Sequence, residues 1–194
     1  MIQAGDALVI VDVQNDFCPG GALGVRDGHL VVAPLNACAA RFAAAGAPVY
    51  ASRDWHPART SHFKEWGGPW PPHCVQGTRG AEFHPDLRLP AGAAVVSKGS
   101  AVDEDAYSCF QARDAAGRPF PDVLRAAGVR RLVVGGLATD YCVKATALDA
   151  RRAGLDVVVL EDAMRAVDLQ PGDGQRAIAE MTAAGVTVAS SASV

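Results

Sequence analysis

A cysteine carried in the first turn of a helix is a candidate nucleophile. The run Gly135-Gly136-Leu137-Ala138-Thr139-Asp140-Tyr141-Cys142-Val143 places one there, directly after the apolar stretch Arg131-Leu132-Val133-Val134. Unpaired N–H groups and the partial positive charge of a helix N-terminus favour a thiolate and can later stabilise an oxyanion. For a free cysteine among small residues the alternative is an inert, packed thiol. Asp12 and Lys98 bear on that choice. Asp12 interrupts Leu8-Val9-Ile10-Val11-Asp12-Val13 near the carboxyl end of a strand, where a buried carboxylate either finds a partner or serves as a turn or cap. Lys98 ends Val95-Val96-Ser97-Lys98 in a similar position. Asp12, Lys98 and Cys142 can therefore converge at one edge of a sheet. There the carboxylate can accept the thiol proton while the ammonium stabilises the resulting anions.

A second constellation is Asp54-Trp55-His56-Pro57, with His62 and His73 further along. Asp54 and His56 alternate in an extended segment, so their side chains point the same way, and Pro57 disfavours helix at His56. Two such ligands on one face begin a metal site. His73 in Trp70-Pro71-Pro72-His73 can add a third and His62 a fourth, with positions left for water or substrate. The donor set suits zinc, iron(II) or manganese alike, and chance histidines on a long surface loop are the alternative. Phe17, Trp66 and Trp70 can wall a pocket for a flat substrate or form the private core of the loop. The Gly135-Gly136 spacing matches neither a P-loop nor a dinucleotide fingerprint, so it indicates close packing and no nucleotide cofactor.

The elements that must position these residues follow from hydrophobic periodicity. Strands are expected at Leu8 to Val13, Pro48 to Ser52, Ala93 to Ser97, Arg131 to Gly135, Asp156 to Leu160 and Val186 to Ala189. Helices are expected near Leu30 to Ala45, Asp122 to Ala127, Asp140 to Ala153 and Gln175 to Ala184. Six nearly continuous apolar strands alternating with helices imply an α/β fold, a three-layer α/β/α sandwich around a mostly parallel six-stranded sheet. Gly46, Gly128, Gly154 and Gly185 each sit where a left-handed helix C-cap is required. The exception to the alternation is Arg53 to Pro90, with six prolines, four histidines and all three tryptophans. A long loop of that composition is functional or disordered, and its aromatic content argues against disorder.

The 194 residues suit one domain, and 49% hydrophobic residues suffice for a sizeable core. A net charge of -3 without a basic stripe argues against nucleic acid or an anionic membrane and for a small-molecule partner. The first apolar run is too short for a signal peptide or a membrane span, so a cytoplasmic location is expected. Five cysteines without C-x-x-C spacing imply reduced thiols. Alanine-rich helix faces suit a homo-oligomer as well as ordinary covering of the sheet.

Together these residues resemble the isochorismatase-like cysteine hydrolases, and within them the nicotinamidase (pyrazinamidase) branch. The resemblance spans nearly the whole chain. It is carried by Val11-Asp12-Val13-Gln14-Asn15-Asp16-Phe17, Asp54-Trp55-His56-Pro57, Pro72-His73-Cys74-Val75-Gln76-Gly77-Thr78, Ser97-Lys98-Gly99 and Ala138-Thr139-Asp140-Tyr141-Cys142-Val143. It implies a catalytic triad of Asp12, Lys98 and Cys142, and one divalent metal ion held by Asp54, His56 and His73, with zinc ahead of iron or manganese. His62 matches a ligand present in some members only. It further implies that Phe17 and Trp70 sandwich a pyridine ring, that Leu137 and Tyr141 shape the pocket, and that a cis Leu137-Ala138 peptide aims the N–H groups of Ala138 and Cys142 at an oxyanion. The implied activity is hydrolysis of nicotinamide, and of pyrazinamide, through a cysteine thioester in NAD salvage, with the metal orienting the substrate or also delivering water. Another small-amide or isochorismate hydrolase is the rival within the fold. A thiol redox or metal-binding module, with Cys18 or Cys109 as resolving thiol, is the rival outside it.

Overall fold

The computed structural model describes residues 1–194. The strands β1 (Asp6–Val11), β2 (Val49–Asp54), β3 (Ala94–Lys98), β4 (Arg113–Asp114), β5 (Arg131–Leu137), β6 (Asp156–Arg165) and β7 (Thr187–Ala189) form one sheet in the order β4-β3-β2-β1-β5-β6-β7. Six of them are the expected parallel strands. The seventh, β4, is a two-residue antiparallel partner of β3 at the sheet edge, too short to leave a periodic signal.

Four helices cover the sheet: α1 (Val32–Ala44), α2 (Phe120–Ala126), α3 (Lys144–Arg152) and α4 (Asp173–Ala183). The chain starts at the centre in β1, moves outward to β2 and β3, and returns across β1 to β5 before moving outward the other way. Right-handed crossovers then put α1 on one face and α2, α3 and α4 on the other. Alternation along β1 serves both faces. Ala7, Val9 and Val11 pack with Leu124, Ala147 and Met181, while Leu8 and Ile10 pack with Leu35, Ala39 and Phe42 of α1. Burial on both faces is why these strands read as continuous apolar runs.

No α-helix crosses from β2 to β3. The irregular segment 55–93 takes that place and lays Trp55, Phe83, Leu87 and Leu89 against the α1-side core. The strand ends differ slightly from expectation: β2 continues through Asp54, and β6 runs on to Arg165 through an irregularity opposite Val134–Gly136 of β5. Gly46, Gly128, Gly154 and Gly185 have positive φ at the expected helix ends. Gly136 (φ +130°) marks a close approach of β5 to β1, since a Cβ there would lie 2.1 Å from the Val11 carbonyl oxygen. The reversal of strand order falls between β1 and β5, and the crevice beyond the carboxyl ends of such strands is where open α/β sheets place ligands.

Candidate active site

Asp12, Lys98 and Cys142 meet at that crevice. Lys98 Nζ lies 2.9 Å from Asp12 Oδ2 and 3.4 Å from Cys142 Sγ, and it also donates to Asp54 Oδ1. Lys98 is fully buried although charged, and two carboxylates compensate it. Asp12 follows β1 with φ 49°, a left-handed conformation uncommon outside glycine, which turns its carboxylate toward the sulfur. Ser52 Oγ donates to the other Asp12 oxygen at 2.7 Å.

The electrostatics separate the three groups. Burial raises the Asp12 pKa, against the pull of the Lys98 charge, and the nearby Asp54 charge adds to the rise. Burial opposes the Lys98 charge, but Asp12 and Asp54 outweigh it and hold the ammonium well above its ordinary range. Burial also pushes the Cys142 thiol well up, in spite of Lys98. That direction opposes the thiolate-favouring effect expected of a helix N-terminus, and a carboxylate able to take the proton lies beside the sulfur. Cys142 lies in a π-helical turn, Thr139–Val143, that precedes α3. The Leu137-Ala138 peptide is cis, as expected. The Ala138 N–H bonds to no group of the protein and lines the same cavity as Cys142.

Asp54 connects this trio to the histidines. Its second oxygen, Oδ2, lies 3.7 Å from His56 Nε2 and 3.9 Å from His73 Nε2. Ligand atoms of His56, His62 and His73 all fall within 4.8 Å of one another. His56 Nδ1 bonds the Gly99 carbonyl at 3.1 Å, His73 Nδ1 the Pro71 carbonyl at 2.8 Å, and His62 Nδ1 the Asp105 carboxylate at 2.6 Å. An oxygen acceptor at each Nδ1 places the proton there and leaves each Nε2 lone pair free, the outer-sphere arrangement of metal-ligating histidines. His56 Nε2 is buried without a hydrogen-bond partner. A divalent ion fits this donor set of one carboxylate and up to four ligands in all. Burial lowers the His62 pKa and takes that of His73 down to about 4, so both are neutral donors near neutral pH. Burial disfavours the Asp54 charge, but Lys98 prevails and its carboxyl lies well below the usual range. Ligand atoms of Asp12, Asp54 and Cys142 also cluster, yet the Lys98 ammonium already supplies the cation among them.

A narrow cavity lined by Asp54, His62, His73 and Cys142 opens above both groups. Phe17 and Trp70 line it as expected, with Tyr141 edge-on to Trp70 at 5.0 Å between ring centroids. The expected pocket residue Leu137 and the candidate wall residue Trp66 are elsewhere. Leu137 is fully buried and belongs to the α1-side core, because strand alternation turns its side chain away from the cavity. Trp66 is 45% exposed and carries the Arg59 guanidinium over its ring, outside the cavity. Cys18 and Cys109 are free and buried, and burial takes both thiols to about 11, which disfavours the redox alternative.

Several contributors were not singled out in the sequence. Tyr107 lines the cavity and accepts a hydrogen bond from Trp70 Nε1 at 2.9 Å. Gln14 exchanges two 2.8 Å bonds with the Asp54 backbone. The Asp140 carboxylate accepts from the Val167 and Asp168 N–H groups, both at 2.9 Å, tying the nucleophile turn to a cavity wall. Membership of the motifs around Asp12 and Cys142 is the sequence signal for the last two.

The sequence pattern of the isochorismatase domain matches residues 6–193. The nicotinamidase of Escherichia coli (strain K12) is 42% identical over 94% of this chain and 93% of its own. The nicotinamidase/pyrazinamidase of Mycobacterium tuberculosis is 45% identical over 80% of this chain and 84% of its own. Among solved structures, the pyrazinamidase of Pyrococcus horikoshii in complex with zinc superposes with a TM-score of 0.89 at 43% identity, covering 96% of this chain and 99% of that one. A domain match over almost the whole chain, joined to these identities, establishes that the protein belongs to the isochorismatase family.

Proposed function

We propose that the protein is a metal-dependent nicotinamidase, an amidohydrolase that converts nicotinamide to nicotinate and ammonia through a Cys142 thioester and serves NAD salvage; pyrazinamide is a second substrate. The observation that carries this reading is the single ammonium of Lys98 set between Asp12, Asp54 and Cys142, beneath an aromatic-walled cavity that adjoins three histidines. Relatives named as nicotinamidases and pyrazinamidases supply the substrate class.

In the mechanism, Asp12 takes the Cys142 proton as Sγ attacks the carboxamide carbon. Burial raises the Asp12 carboxyl and so makes it a stronger base toward the thiol than an ordinary carboxylate. Lys98 stays protonated throughout and offsets the negative charge that moves between them. The N–H groups of Ala138 and Cys142 receive the oxyanion; one such donor contributes about 3 kcal/mol to the transition state. Asp12 returns its proton to the departing nitrogen, ammonia leaves, and the acyl group remains on sulfur. Water, deprotonated by Asp12, then attacks the thioester to release nicotinate and the thiol. Phe17 and Trp70 hold the ring from the cavity walls. A divalent ion held by Asp54, His56, His73 and His62 would supply a Lewis-acidic anchor for the ring nitrogen, fixing the carboxamide over Cys142.

Ammonia release from nicotinamide by purified protein, before and after chelation and with metal content measured on the same sample, tests the proposal. Turnover lost with the metal supports it. No turnover in a metallated, reduced sample refutes the substrate and redirects the search to other amides and isochorismate. Cys142→Ala is expected to abolish ammonia release, and wild-type turnover by that variant overturns the covalent route. His73→Ala is expected to lose metal and activity together.

A further inference from the structure

The three histidines are not held alike. His56 and His73 are fixed by backbone carbonyls, those of Gly99 and Pro71. His62 alone is fixed by a side chain, the Asp105 carboxylate, at 2.6 Å. Asp105 is 56% exposed at its side chain and sits on the irregular segment 99–108 that links β3 to the turn before β4. That segment touches the site at both ends. Its Gly99 carbonyl receives His56 Nδ1, and its Tyr107 hydroxyl receives Trp70 Nε1 at 2.9 Å. Between them, the Val102 carbonyl accepts from the Ser61 N–H at 2.8 Å, next to His62.

From this arrangement we propose that Asp105 is a positioning residue through which metal occupancy and closure of the 99–108 segment over the cavity are coupled. The inference rests on the metal reading given above. An imidazole bound to a cation at Nε2 is a stronger donor at Nδ1, so a metal tightens the His62–Asp105 bond. By reciprocity, whatever the metal contributes to segment closure, closure returns as metal affinity. Tyr107 lies two residues from Asp105, so the same bond carries the coupling to the Trp70 wall of the cavity.

The test uses zinc as probe, with competition against a chromophoric chelator as readout, for the wild-type protein, Asp105→Ala and Asp105→Asn. Loss of an outer-sphere partner of this kind weakens metal affinity by about 10- to 100-fold, the drop expected for Asp105→Ala. Asp105→Asn keeps an oxygen acceptor for Nδ1–H and is expected to recover part of the loss. In wild type, zinc is expected to slow amide hydrogen exchange across 99–108, and in Asp105→Ala it is not. Metal-free Asp105→Ala is expected to melt with the metal-free wild type, because the side chain is half exposed. Equal zinc affinities in wild type and Asp105→Ala overturn the proposal, as does a lowered melting point of the metal-free variant that accounts for the loss. Failure of the wild type itself to bind zinc overturns the metal reading instead, and the coupling falls with it.

Discussion

Asp54 and Lys98 are direct register partners on β2 and β3, and their side chains form an ion pair across the two carboxyl ends. The pair places one carboxylate between two groups, the Lys98 ammonium at Oδ1 and the histidine cluster at Oδ2. Parallel pairing thus fixes the spacing between the nucleophile trio and the metal-type cluster without relying on the long loop. The loop then needs to bring His56, His62 and His73 to a ligand that the sheet has already set.

Lys98→Met is expected to lose both catalysis and stability. The variant leaves Asp12 and Asp54 buried near each other without a compensating cation, and breaking a buried ion pair by removing one partner costs about 3–5 kcal/mol. Urea unfolding followed by circular dichroism checks the prediction. A stability within about 1 kcal/mol of wild type would show that the two carboxylates find another way to shed their charge.

Asp140 is expected to act on both rate and substrate affinity although it does not face the cavity. Its carboxylate holds the Val167 and Asp168 N–H groups, and Val167 is a cavity wall. Hydrogen bonds to a charged group contribute about 1.5–3 kcal/mol each. Asp140→Ala is predicted to lower the melting temperature and raise KM together, and Asp140→Asn, which retains one acceptor, to do less. An unchanged KM in a destabilised Asp140→Ala would confine the residue to holding the fold.

Legibility in the sequence follows the physics of each element. β1 and β5 are buried on both faces, so their apolar runs, and the charged residues that interrupt or end them, stand out. Asp12 after β1 and Cys142 after β5 are readable for that reason, while Lys98 is readable as the charge that ends the shorter, partly buried β3. The two residues of β4 are too few to show a period. Leu137 and Ala138 are equally apolar on paper and both join the α1-side core, but only Ala138, past the end of β5 and the cis peptide, also lines the cavity. Trp66 and Trp70 are likewise indistinguishable by composition; the Phe63 to Trp70 bridge turns one inward and leaves the other at the surface. Outer-sphere partners such as Asp105 and the Gly99 carbonyl depend on long-range closure and have no local signature.

Asp6, at the start of β1, gives the fold an acid-sensitive restraint far from the catalytic end. It pairs with Arg131 of β5, directly opposite in register, and accepts a 2.9 Å bond from Nε. Burial would raise its carboxyl, but the Arg131 bonds and charge prevail and hold it below its ordinary value of 3.8. A carboxyl depressed in the folded state stabilises it fully above the unfolded pKa, and that stability disappears as pH falls through the folded pKa. Wild type is therefore expected to lose stability between about pH 4 and the lower folded value more steeply than Asp6→Asn. Equal acid-unfolding profiles would show that the pair contributes nothing to this limb.

Gly99 is required twice by the same geometry. Its φ of +64° lies where a side chain is strained, and a Cβ would stand 2.4 Å from His56 Cε1. Left-handed backbone alone costs a residue such as alanine about 1–2 kcal/mol. The clash cannot be relieved by His56, which is fully buried and bonded to the Gly99 carbonyl. Gly99→Ala is thus expected to displace His56 from the cluster, lowering zinc content after dialysis and, with it, turnover on nicotinamide. Gly92, also at positive φ but with open space around its Cβ position, is the control: its alanine variant pays the backbone strain and keeps the metal. Matching zinc stoichiometry in the two variants would mean that His56 is not positioned by the Gly99 backbone.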